Sequence, residues 1–233
     1  MNTPDIITID GPAGAGKSTL GALLAHRLGY LYFDTGIMYR ALTFAVLDRK
    51  LEPQDSTAIT ELARTLDICI RPSASPDERH PTVLIAGRDI THDLRRLRIE
   101  RNVSHVACHQ PVRAIMRSRQ REIGLRGKIV MVGRDIGNVV MPDAPLKIYL
   151  ETSLEERARR RTDELRADGR AIQIGDVASD VERRDSLDRH VTIPAPDALI
   201  INNDDLSPEE EVEVILAHVA QNQWRPSVVS GRL

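Results

Sequence analysis

Residues Gly11-Pro12-Ala13-Gly14-Ala15-Gly16-Lys17-Ser18-Thr19 fit the pattern G-x-x-x-x-G-K-[ST], in which backbone N–H groups wrap phosphates and the following helix adds the positive end of its dipole. Such a loop needs a strand before it and a helix after it. Ile6-Ile7-Thr8-Ile9 is a short β-branched apolar run, and Thr19 to Leu28 has helical apolar spacing. Lys and Arg together number 32, of which only Lys17, Lys50, Lys128 and Lys147 are lysine, and one of these occupies the motif position. In this pattern Lys17 reaches the β and γ phosphates of a bound triphosphate and the Ser18 hydroxyl holds Mg2+.

Four further apolar runs read as strands: Tyr30 to Phe33, Ile129 to Val132, Leu146 to Leu150 and Ala198 to Ile201. Helical stretches separate them, so the chain is an α/β protein with a five-stranded parallel sheet covered on both faces. Ligands of such sheets bind beyond the carboxyl ends of the strands. The residues to inspect are therefore Gly11 to Ser18, Asp34 to Arg40, and Arg134-Asp135. One stretch breaks the alternation. Ile68 to Pro72 and Thr82 to Ile90, joined by a polar Pro-rich turn through Ser73 to Pro81, read as two strands of a small antiparallel insert. Helices follow from about Leu97 and from Pro111 through Gln120, Ser207-Pro208-Glu209 starts a packing helix, and Ser227 to Leu233 should fray.

Composition narrows the function classes. At 233 residues one sizeable core is expected, and a formal charge of −2 gives no bulk attraction to nucleic acid or an anionic membrane. Aromatic residues at 3% argue against a base-stacking surface. Cys69 and Cys108 are too few for a disulfide framework and should be buried free thiols. With no apolar run near about 18 residues and no signal-peptide pattern, a soluble cytoplasmic monomer acting on small molecules is expected.

A triphosphate loop leaves the second substrate open. Arg40 can fork onto an acceptor phosphate and Thr35 can donate a hydroxyl. Arg134 can clamp a phosphate, while Asp135 ends a strand where a carboxylate reads Mg2+, an attacking hydroxyl or a base edge. The run Glu155-Glu156-Arg157-Ala158-Arg159-Arg160-Arg161 suits a solvated helix face, or a lid that neutralises a transferring phosphoryl group. Glu182 to Arg189 is a second charged helix.

Taken together these segments resemble the bacterial cytidylate kinases. The resemblance rests on Ile9 to Thr19, Asp34-Thr35-Gly36 with Tyr39-Arg40, Val103-Ser104, Pro111-Val112-Arg113, Gly133-Arg134-Asp135-Ile136-Gly137 with Pro142-Asp143-Ala144, Glu155 to Arg161, and Arg184-Asp185 with Asp188. It implies a P-loop nucleoside monophosphate kinase core that uses ATP and Mg2+ to phosphorylate CMP and dCMP. It also implies an inserted CMP-binding lobe near residues 66–97 and an Arg-rich lid near 157–190. By the same resemblance Ser104, Arg113 and Asp135 read the cytosine edge, and Arg40 and Arg134 hold the acceptor phosphate. Arg184 and Asp188 meet the ribose hydroxyls, and Arg160 and Arg161 belong to the lid. In one departure, Val191 stands where the family has an acceptor-phosphate Arg; either Arg189 supplies that cation from a shortened loop or the site has one Arg fewer. Two other readings stay open: a P-loop kinase for another acceptor, such as a different nucleotide or shikimate, and a nucleotide-regulated binding protein. Against a GTP switch, the chain carries no N-K-x-D sequence, since Asn202-Asn203-Asp204-Asp205 lacks the Lys.

Overall fold

The structure, a computed structural model, describes residues 3–71, 81–167, 169–189, 191–221 and 224. Most of the expected Pro-rich turn, the frayed tail and the side chain of Asp188 lie outside the described residues. In chain order the first elements are β1 (Ile6–Asp10), α1 (Lys17–Leu28), β2 (Leu31–Asp34), α2 (Gly36–Asp48), α3 (Ser56–Thr65), β3 (Ile68–Arg71), β4 (Thr82–Ile85) and β5 (Arg88–Asp89). There follow α4 (Leu97–Ala107), α5 (Gln110–Gly124), β6 (Ile129–Val132), β7 (Leu146–Glu151), α6 (Leu154–Ala167), α7 (Ile174–Asp188), β8 (Leu199–Asn202) and α8 (Pro208–Ala220). A five-stranded parallel sheet has the order β2-β6-β1-β7-β8, and β3-β4-β5 form a separate three-stranded sheet.

The chain divides into two compact units, one made of Met1–Leu31 with Gly127–Leu233 and the other of Tyr32–Arg126. In the first unit β1 is the central strand, pairing Ile7 with Val130 of β6 and Ile9 with Ile148 of β7. Every residue of β6 and all but Glu151 of β7 are buried, as strands with both faces covered must be. Helix α8 starts on a full capping box, Ser207 accepting from the Glu210 N–H while Glu210 reaches back to the Ser207 N–H. Leu165 of α6 packs with Val177 and Val181 of α7, giving that charged pair of helices an apolar seam.

The second unit folds around Ala41 and Phe44 of α2, Val83 of β4, and Ile90, Leu94 and Ile99. The stretch from Thr82 to Ile90, read in the sequence as one strand, is two. The backbone turns at Ala86-Gly87, where φ is 49° and 80°, and Arg88 pairs back onto Ile85. Two positive φ values make the tight hairpin turn that suits twisted antiparallel strands. Ala at its first position is not the Asn or Asp that signals such a turn in a sequence. The cysteines also differ from expectation. Cys69 is half-buried and Cys108 is exposed at the end of α4, its thiol donating to the His105 carbonyl at 3.1 Å, because polar helix ends face water.

Candidate functional site

Between β1 and α1 the loop turns on Gly11, Gly14 and Gly16, all at positive φ, and Gly16 caps the helix with φ 87°. Gly11 has a second reason to lack a side chain, since a Cβ there would lie 2.8 Å from the Leu150 carbonyl oxygen. Lys17 folds back so that Nζ donates to the Pro12 carbonyl at 2.5 Å. Ser18 and Thr19 are exposed on the first turn of α1.

Asp10, the last residue of β1, is 6% exposed. Its Oδ1 accepts from the Ile136 N–H at 2.9 Å and its Oδ2 from the Gly137 N–H at 2.7 Å. These bonds hold the π-helical turn Ile136–Val140 that directly follows Arg134 and Asp135. Gly137 is confined there, because a Cβ would meet Thr8 Oγ1 at 3.0 Å and Asp10 Oδ2 at 3.2 Å. Asp10 thus ties the start of the loop to the segment bearing Arg134 and Asp135. Burial raises its carboxyl to about 6 against the two N–H bonds, with the Asp135 charge adding to the rise and Lys17 opposing it.

This shift predicts a titration. A carbon-13 titration of the free protein should place the Asp10 carboxyl midpoint near 6. A midpoint near the ordinary 3.8 would remove the burial effect. The sign follows from linkage: Asp10 is raised in the folded protein, so its contribution to stability is complete below pH 3.8 and lost as pH rises through about 6. Glu156 has the opposite sign. Hydrogen bonds from Arg159, and then Arg160, hold it at about 2, so its contribution is complete above pH 4.5 and lost as pH falls through about 2.

The four Arg clustered between Arg157 and Arg161 on α6 have different fates. Arg157 is 6% exposed. It donates to the Ala13 carbonyl of the loop at 3.0 Å, to the Thr152 carbonyl at 3.1 Å, and pairs with Asp185 of α7 at 2.6 Å. A trans peptide points its N–H opposite to its C=O, so holding the Ala13 oxygen also fixes the direction of the Gly14 N–H. Arg160 donates through Nε to Glu156 and through a terminal nitrogen to the Asn203 carbonyl, both at 2.6 Å. Arg159 pairs with Glu156 and Asp163, and Arg161 with Glu164, on the exposed side. Beside Arg160 a cavity of about 430 Å3 opens, lined by Gly16, Thr19, Leu206, Pro208 and Glu211 among others.

The remaining candidates fall as follows. In the first unit Asp135 is buried and Arg134 half-buried just beyond β6, while Arg184 lies exposed on α7, where it pairs with Asp180 at 3.1 Å. Arg189 is exposed at the end of α7 and Val191 half-buried beyond it. In the second unit Thr35 caps α2 and is 5% exposed, its carbonyl accepting from Gln120 of α5 at 3.4 Å. Arg40 is half-buried on α2, Ser104 exposed on α4 and Arg113 half-buried in the first turn of α5. Helix α4 packs against both α2 and α5.

The Cytidylate kinase family model matches residues 7–221. The chain belongs to the cytidylate kinase family. A cytidylate kinase of Roseiflexus castenholzii is 58% identical over 221 residues, covering 94% of this chain and 95% of that protein. The cytidylate kinase of Herpetosiphon aurantiacus is 51% identical over 216 residues, covering 93% and 94%. A crystal structure of an uncharacterized protein from Eubacterium ventriosum shares the fold at 10% identity, with TM-score 0.50 over 93% of this chain and 99% of that one.

Three residues that bond to the phosphate-binding loop or to the turn beside Asp135 were not among the sequence candidates: Asp10, Arg157 and Asn203. Asp10 and Asn203 stand at carboxyl ends of strands, the position that singles out ligand-side residues, and that was the available signal. Arg157 stood in a run of four Arg with nothing local to separate it. Family phosphotransfer calls for a divalent metal, and the donor set here fits one. Among the described residues no three His, Cys, Asp or Glu side chains gather as a metal cage. Mg2+ does not require one, since it keeps several waters and is held largely by substrate phosphates. The exposed Ser18 hydroxyl, the first turn of α1 and the glycine loop supply the hard oxygen donor and phosphate cradle that such a metal uses. Among the described residues no helix is long and apolar enough to cross a membrane.

Proposed function

We propose that the chain transfers the γ-phosphoryl group of ATP to CMP and dCMP, giving CDP and dCDP. The observation that carries this reading is the glycine loop with Lys17, joined through Asp10 to the turn that follows a buried Asp135, within a chain 58% identical to a cytidylate kinase. ATP lies with its phosphates on Gly11 to Thr19 and its base in the cavity between Arg160 and Leu206-Pro208. Arg40 and Arg134 hold the acceptor phosphate, with Thr35 beside it. Ser104, Arg113 and Asp135 read the cytosine edge, and Arg184 and Asp188 meet the ribose. Residues 66–97 form the CMP-binding lobe and 157–190 the lid, in a monomer of the cytoplasm.

An oxygen of the CMP phosphate, already anionic, attacks the γ-phosphorus of ATP. The bond from that phosphorus to the β,γ-bridging oxygen breaks and ADP leaves with the electron pair. No covalent enzyme intermediate is needed, so catalysis is positioning and charge neutralisation. Lys17 meets the β and γ phosphates, Arg134 the acceptor side, and Arg160 and Arg161 the transferring group. Ser18 and the donor phosphates would hold Mg2+, which would supply further charge neutralisation. The test is ADP release with ATP and Mg2+ across a panel of CMP, dCMP, UMP, AMP and shikimate. CMP and dCMP should turn over fastest; rapid use of AMP or shikimate with none of CMP would contradict the reading.

A further inference from the structure

Asn203 lies one residue beyond β8 and is wholly buried, 0% exposed. Its main-chain N–H continues the strand pairing by donating to the Glu151 carbonyl at 3.1 Å. The side-chain amide is used on every side. Nδ2 donates to the Ala15 carbonyl of the phosphate-binding loop at 3.0 Å and to Glu211 Oε1 of α8 at 2.9 Å, and Oδ1 accepts from the Thr152 hydroxyl at 2.6 Å. The Asn203 carbonyl accepts from Arg160 at 2.6 Å. One residue therefore joins the loop, the first turn of α8, the start of α6 and an Arg of that helix.

We propose that Asn203 is a positioning residue for the donor phosphates, aiming the Gly16 N–H of the loop through the Ala15 carbonyl and holding Arg160 against the same glycine. This rests on the proposed donor role of the loop and Arg160. A trans peptide sets its N–H opposite to its C=O, so tying down the Ala15 oxygen fixes where the Gly16 N–H points. A Cβ built on Gly16 would lie 3.5 Å from the second terminal nitrogen of Arg160 and 3.7 Å from Asn203 Nδ2. Guanidinium and amide thus flank the last glycine of the loop together. Other side chains break the arrangement. Aspartate would set an acceptor oxygen against the Ala15 carbonyl and the Glu211 carboxylate, and alanine would release both. Asn202-Asn203 drew notice in the sequence only for lacking a guanine-reading Lys. In the structure Asn203, one residue beyond β8, reaches the loop at the Ala15 carbonyl.

Asn203→Ala should raise the KM for ATP and lower kcat, each by about tenfold, as small misplacements of reacting groups do. The KM for CMP should stay within about twofold, because no bond of Asn203 reaches the residues assigned to CMP. A residue that only stabilises the fold would lower the active fraction and leave the KM for ATP unchanged, and that result overturns the proposal. Should Asn203→Ala not fold, Thr152→Val removes one bond to Oδ1 and should raise the KM for ATP more mildly; an unchanged value overturns the proposal equally. Calorimetric titration with Mg-ATP separates this inference from the reading of the reaction. Even in a protein that made no CDP, Asn203→Ala should bind Mg-ATP about tenfold more weakly than the unmodified chain, and equal affinity contradicts the role.

Discussion

Lys17→Ala lowers kcat for CMP phosphorylation on the order of 10³-fold, the size of loss seen when a preorganised charge aimed at a transition state is removed. Lys17 is the one cation inside the loop itself, and its Nζ already sits against the Pro12 carbonyl at the loop's first turn. Its side chain is only half-buried, so the melting temperature should move by about 2 °C or less. Stopped-flow or coupled assays with circular dichroism on the same sample check both halves. Near-normal turnover would remove Lys17 from the mechanism, and a collapsed melting temperature would make the loss structural.

The second large effect is one of selectivity. Asp135 is 9% exposed at the end of β6, behind an apolar strand whose residues are all buried. A carboxylate there matches the amino group of cytosine and faces the carbonyl of uracil acceptor to acceptor, a mismatch of about 1–3 kcal/mol. Asp135→Asn introduces a donor that uracil can use. The ratio of kcat/KM for CMP over UMP should fall by about 10-fold to 100-fold, with most of the loss in the CMP term. An unchanged ratio would assign Asp135 to structure or to the metal.

The donor side was legible in the sequence because its chemistry is local. Glycine spacing, a β-branched run before it and helical spacing after it all lie within residues 6–28, and the structure places β1, the loop and α1 there. All five parallel strands were visible as short apolar runs for the same reason. The hairpin at Ala86-Gly87 was hidden, because its turn uses Ala where Asn or Asp would announce it. The supporting residues were hidden for a different reason. Arg157 meets the Ala13 carbonyl across 144 residues of sequence and Asn203 the Ala15 carbonyl across 188. No local pattern reports such a partner. Nor does composition separate buried Arg157 from Arg159 two positions on, whose side chain is 58% exposed. Which Arg of a cluster turns inward is decided by the helix's seat against α7 and the loop.

The residues proposed for the acceptor side read in the sequence as strand ends and cations, and less clearly as a set. Arg184 pairs with Asp180 on its own helix, an exposed i,i+4 bridge of small energetic weight, so the proposed binding of a ribose through Arg184 would cost little in broken contacts. Asp135, by contrast, is held in place from behind by Asp10 through the turn at Ile136 and Gly137.

Phosphorus-31 spectra recorded while the protein acts on equimolar ATP, CMP and Mg2+ test the central claim most directly. The account predicts that the γ signal of ATP is replaced, one for one, by the β signal of CDP, with no free phosphate. Loss of the γ signal to inorganic phosphate, or no loss at all despite tight ATP binding, would contradict it.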